Sequence, residues 1–80
     1  MEDKFKFKVN PEYLMKFADM LDDEIMNLEY IADLDDGETY VITYVYNGEE
    51  EFEYRTLSDV KNYIDTGAWL IIGSENNISS

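Results

Sequence analysis

The chain has no cysteine and no histidine among its 80 residues, and only one proline. Without cysteine there is no disulfide, and nothing implies an oxidising compartment. Without histidine the usual general base and the commonest metal ligand are missing. Ser-His-Asp triads, Cys-His pairs and the common zinc sets are excluded within one chain. The phosphate-cradling patterns GxxxxGK[ST] and GxGxxG are absent too. Carboxylate pairs of the glycosidase kind need only two acids in the right place. Nineteen acidic residues supply such pairs by accident. The expectation is therefore a non-enzymatic protein with no cofactor and no metal. No apolar run reaches the roughly 18 residues of a membrane span. The opening MEDKFKFKV lacks a signal-peptide core, so a cytoplasmic location is expected.

The most uneven absence is that of cations. Between Phe17 and Tyr54 there are 13 carboxylates and not one Lys or Arg. The rest of the chain has six acids and six bases, so the net charge of −13 resides in that one stretch. Direct nucleic-acid binding is excluded, because affinity for phosphates comes mainly from cations releasing counterions. Apolar content of 45 % with 12 aromatic residues separates the chain from disordered acidic tails. Such a one-signed surface also repels itself on compaction. Acidity that serves solubility alone is the plainest reading of it.

Along the chain, Lys4 to Val9 alternates lysine with Phe5, Phe7 and Val9, the pattern of a half-buried strand. Asn10-Pro11 reads as a helix start, with Asn as cap and Pro at the first helical position. Leu14, Phe17, Ala18, Leu21, Ile25 and Leu28 then recur at helical spacing. They predict one long helix reaching Tyr30 or Ile31. Its other face would carry Asp19, Asp22, Asp23, Glu29 and Asp33, with Met26 and Tyr30 among them. Ala32 to Glu38 (ADLDDGE) resembles a calcium loop only superficially. Counted from Asp33, Gly37 falls at position five rather than six, and position twelve is Tyr44 rather than Glu.

Asn47-Gly48 between two β-rich runs predicts a two-residue type I′ hairpin. Its register pairs Tyr46 with Glu49, Tyr44 with Glu51, Ile42 with Glu53 and Tyr40 with Arg55. These side chains are expected on the outward face. Val41, Thr43, Val45, Phe52 and Tyr54 are expected on the core side, with Glu50 frayed at the turn. Thr56 to Asp59 matches a capping box and opens a short helix with Val60, Tyr63 and Ile64 inward. Ala68 to Ile72 reads as a short apolar strand. The expected organisation is one domain over residues 1–73 with a tail over 74–80. The expected class is α+β: a small antiparallel sheet in β-α-β-β-α-β order, ferredoxin-like or a reduced variant of it. One long and one short helix would cover one face. That plan sets the first strand beside Glu49, Glu51 and Glu53, where Lys4, Lys6 and Lys8 would pair with them.

Asp19 to Asp33 on a helix would span about 21 Å, the length over which one DNA strand presents about six phosphates. The five carboxylates there, with Glu49, Glu50, Glu51 and Glu53 on the hairpin, have a comparable linear density. In general character the chain resembles small phage proteins that mimic DNA. These include inhibitors of uracil-DNA glycosylase, anti-restriction proteins and anti-CRISPR proteins. The resemblance is one of length, acidity and mixed composition, with no shared motif. It implies an inhibitor that occupies the basic DNA- or RNA-binding cleft of a host enzyme. The partner is then a basic nucleic-acid-binding protein, with no membrane involved. Expected contacts are Asp19, Asp22, Asp23, Met26, Glu29, Tyr30, Asp33, Asp35, Asp36, Glu38, Tyr44, Tyr46, Glu49, Glu50 and Glu51. The alternative is an adaptor or regulatory module that binds another protein through a Tyr/Glu sheet face. Oligomeric state is open at this level.

Overall fold

The structure is a computed structural model and describes residues 4–17, 19 and 22–74. Five strands form one antiparallel sheet in the order β4-β3-β2-β1-β5. They are β1 (Lys4–Val9), β2 (Tyr30–Leu34), β3 (Thr39–Tyr46), β4 (Glu49–Thr56) and β5 (Trp69–Ser74). Three short helices join them: α1 (Pro11–Leu14), α2 (Asp23–Asn27) and α3 (Leu57–Asp65). The class is α+β with an antiparallel sheet, as expected. The strand order is different. β1 lies between β2 and β5 and does not touch β4.

The single long helix is replaced by two short ones and a strand. Asn10 caps α1 through its Oδ1, which accepts from the Glu12 N–H at 3.1 Å. Its Nδ2 donates to the Gly67 carbonyl at 2.8 Å, which fixes α1 to the turn before β5. The chain leaves α1 at Met15 and re-enters a helix at Asp22, whose side chain accepts from the Glu24 N–H at 2.9 Å. A continuous helix would place Asp19, Asp22 and Asp23 as like charges three and four residues apart. Asp serves better as a cap, where its oxygen competes for backbone N–H groups. Of the expected apolar stripe, Phe17 is 72 % exposed and Met15 beside it 65 %. Ala18 and Leu21 lie outside the described residues, as does the expected tail beyond Ser74.

Residues 30–34 satisfy period two as well as helical spacing. As β2 they bury Tyr30 and Ala32 and turn Ile31 and Asp33 to the other face. β2 pairs Phe7 with Tyr30 and Phe5 with Ala32 on one side, and Ala32 with Ile42 and Leu34 with Tyr40 on the other. The core is Phe5, Phe7, Tyr30, Ala32, Tyr40, Ile42 and Val60. Rings run across it from strand to strand. Tyr44 to Tyr30 is 4.8 Å between centroids, Tyr30 to Phe7 5.1 Å, Phe7 to Trp69 3.9 Å and Trp69 to Tyr63 of α3 4.8 Å. Thr56 caps α3 by accepting from the Asp59 N–H at 3.1 Å, and Val60 seats the helix on the sheet, fully buried.

The hairpin register is the expected one, from Tyr46↔Glu49 to Tyr40↔Arg55. Asn47 and Gly48 hold φ of 57° and 79°, as a type I′ turn requires. The faces are inverted. Tyr40 and Ile42 are fully buried, whereas Val45, Phe52 and Tyr54 are more than half exposed. The aromatic run of β4 suggested a core face, but β4 is the sheet edge. The face of β3 that continues Phe5, Phe7 and Tyr30 is the one that carries Tyr40 and Ile42.

Removing the Phe5 ring should cost about 3–5 kcal/mol, whereas Phe17→Ala should change stability by no more than about 0.5 kcal/mol. Urea unfolding of the two variants checks this; equal losses would contradict the exposed position of Phe17.

Candidate acidic contact surface

Two groups among the carboxylates of the cation-free stretch are set by the two ends of β3. The first is built where α2 passes the tip of the β3–β4 hairpin. Tyr46, the last residue of β3, lies opposite Glu49. On its other side are the charges of Asp22 and Glu24. Those two charges, Asp22 first, push the Tyr46 phenol above its ordinary pKa. Asp19, Asp23 and Glu51 are exposed, and Glu50 is exposed on the opposite face of the hairpin. The start of the acidic helix therefore lies close enough to the hairpin end to act on Tyr46, a proximity that spacing in the sequence does not reveal. Glu24 was not among the expected contacts. Its only sign in the sequence is its place next to Asp22 and Asp23.

The second group is the β2–β3 turn. Asp35 N–H donates to the Thr39 carbonyl at 2.8 Å. Asp36 Oδ1 accepts from the Glu38 and Thr39 N–H groups at 3.0 and 2.8 Å. These bonds hold the Asp36 carboxyl below the usual carboxylate range. Asp36 shapes this turn through backbone donors. Among the described residues no three His, Cys, Asp or Glu side chains are grouped as a metal site would need. β3 has eight residues, so at about 3.4 Å per residue the two groups are about 24 Å apart.

The remaining expected contacts are scattered. Asp33 lies opposite Lys4 on the open face of the sheet, and Glu29 is 3.9 Å from Lys6. The β1 lysines thus face β2 and Glu29, not Glu49, Glu51 and Glu53, because β2 separates β1 from the hairpin. Glu53 pairs instead with Arg55 at 2.6 Å. Tyr30 belongs to the core, and its phenol donates to the Ile25 carbonyl at 3.4 Å. Burial, with Tyr44 and Glu53 adding to it, pushes that phenol up to about 12. Tyr44 and Met26 are half-buried. The phosphate spacing reckoned along one helix does not apply, since no helix runs from Asp19 to Asp33.

A cavity of about 230 Å³ opens on the helical side between Trp69, Tyr63, Tyr30 and the Glu53–Arg55 pair. Its only charged groups already neutralise each other. Among the described residues no helix is long and apolar enough to cross a membrane. Comparison with protein-family models, with curated proteins and with solved structures gives no significant match.

Two titrations follow. Asp22→Asn with Glu24→Gln should bring the Tyr46 phenol back down towards the ordinary tyrosine value near 10, read from its ring resonances against pH. Tyr30 is held neutral by the fold. Its contribution to stability is therefore complete below the unfolded value near 10 and is lost as pH rises towards about 12. Tyr30→Phe should move the alkaline unfolding midpoint upward; an unchanged midpoint would exclude Tyr30 as its cause.

Proposed function

We propose that the protein is a non-enzymatic acidic inhibitor. It would occupy the basic nucleic-acid-binding cleft of a host enzyme, in the manner of phage DNA mimics of the anti-restriction, anti-CRISPR or repair-inhibitor kind. The observation that supports this reading is the approach of Asp22 and Glu24 of the α2 start to Tyr46 at the hairpin end. It sets Asp22, Asp23 and Glu24 near Glu49 and Glu51 at one end of the sheet. The group at Asp35, Asp36 and Glu38 sits about 24 Å further along β3, close to seven phosphate steps of about 3.4 Å. Both groups are carried on hydrogen-bonded backbone, so little ordering entropy opposes their use. Tyr46, half-buried between carboxylates, supplies the ring that anchors charged interfaces. The cations of β1 lie on the other face and do not cancel this field.

The rival reading, an adaptor binding through a Tyr/Glu sheet face, has less surface to use. Tyr40 is fully buried and Tyr44 half-buried beneath the helical layer.

Capture from a bacterial lysate at low and high salt would identify the target, with the acidic reading expecting a nucleic-acid enzyme retained only at low salt. Against that target, Asp22→Lys with Asp23→Lys, or Glu49→Lys with Glu51→Lys, should weaken binding about tenfold or more, at least 1.4 kcal/mol. Reversing Asp59 and Asp65 should change it little, and nucleic acid should compete. Equal losses from all three pairs would remove the localised acidic surface from consideration.

A further inference from the structure

Among the described residues the helices leave one face of the sheet open, and the strand registers arrange its side chains in rows. One row reads Lys4, Asp33, Val41, Tyr54 from β1 to β4. The next reads Lys6, Ile31, Thr43, Phe52. Two residues further along, Lys8 on β1 heads the row that ends in Val45 and Glu50. From β1 to β4 each row thus runs from a lysine to Tyr54, Phe52 or Glu50 on the edge strand, and β5 flanks the lysines on their other side, with Gly73 beside Lys6 and Leu70 beside Lys8. Val45, Phe52 and Tyr54 are 57 %, 61 % and 60 % exposed, and the Phe52 and Tyr54 rings meet edge to face at 5.9 Å. A cluster of exposed apolar side chains with a polar border marks an interaction site. The three lysines of this face are offset by Glu29, Asp33 and Glu50. It is a charge-balanced surface on a chain of net charge −13. A basic partner gains nothing by docking here.

We propose that this open face is the interface of a homodimer. The occupant it fits is a second copy of itself. Turn one copy about an axis running along the strands, between β2 and β3. β1 then lies over the partner's β4, and β2 over its β3. Height along the strands is unchanged, so Lys4 comes over Tyr54, Lys6 over Phe52 and Lys8 over Glu50. Each contact occurs twice, as a twofold interface requires. Two are cation–π contacts and one is an ion pair. Sheets packed face to face with aligned strands are a common arrangement. Four strands at about 4.8 Å and six residues at about 3.4 Å give about 400 Å² in projection. That is small for a protein pair, which points to a reversible dimer of modest affinity.

Sedimentation equilibrium of the full chain from about 5 µM to about 1 mM should show a monomer–dimer equilibrium, the range being chosen for a weak interface. The remaining surfaces repel, so added salt should tighten the dimer. Binding to a basic target should weaken with salt, so the two readings fail independently. Lys6→Glu alone and Phe52→Lys alone should each weaken the dimer about tenfold, with circular dichroism confirming the fold. Both changes in one chain should restore it, because position 6 of one copy faces position 52 of the other. A monomer at every concentration and salt overturns the proposal and leaves the face to a different protein. A dimer indifferent to Phe52→Lys overturns it as well.

Discussion

Everything in this fold depends on the five residues of β2 pairing on both edges at once. Tyr30 and Ala32 meet Phe7 and Phe5 on one side, while Ala32 and Leu34 meet Ile42 and Tyr40 on the other. Without β2 the N-terminal strand and the hairpin have no common sheet. With it, inward residues on three strands fall into line, and the ring contacts from Tyr44 to Trp69 cross them without a break. Aromatic contacts at 4–6 Å add to the area they bury, so one register sets both the core and its geometry.

The same pairing explains the distribution of charge. Making 30–34 a strand ends the helical segment at Asn27 and brings α2 back over the sheet beside Tyr46. It also turns Asp33 outward next to Lys4. A stretch that is uniform along the chain is thereby divided. One part is concentrated at the hairpin tip, a second forms the β2–β3 turn, and a third is offset by lysines. The repulsion expected of so acidic a chain is reduced because the two main groups are at opposite ends of β3.

Much of the local structure was legible from residue types. The β1 alternation, the Asn10 and Thr56 caps, the Asn47-Gly48 turn and the hairpin register rest on short-range rules, and the structure has all of them. The acidic surface was legible only as a composition. Its members Asp22 and Glu49 come to flank Tyr46 only in the tertiary structure, and Glu24 was overlooked for the same reason. Tyr30 looked like a surface residue on a helix and is a core residue on a strand.

By itself the sequence determined the net charge, the exclusion of cysteine and histidine chemistry, and each element whose signal is confined to a few residues. Tertiary structure decided three things that residue types leave degenerate. Residues 30–34 fit both periods, and partners on two sides favoured the strand. Either face of the hairpin carries aromatic residues, and the neighbouring strands selected the one with Tyr40 and Ile42. The lysines of β1 had acids to choose from throughout the chain, and strand order gave them Asp33 and Glu29. In each case the local free-energy difference is small, and burial of a shared core outweighs it.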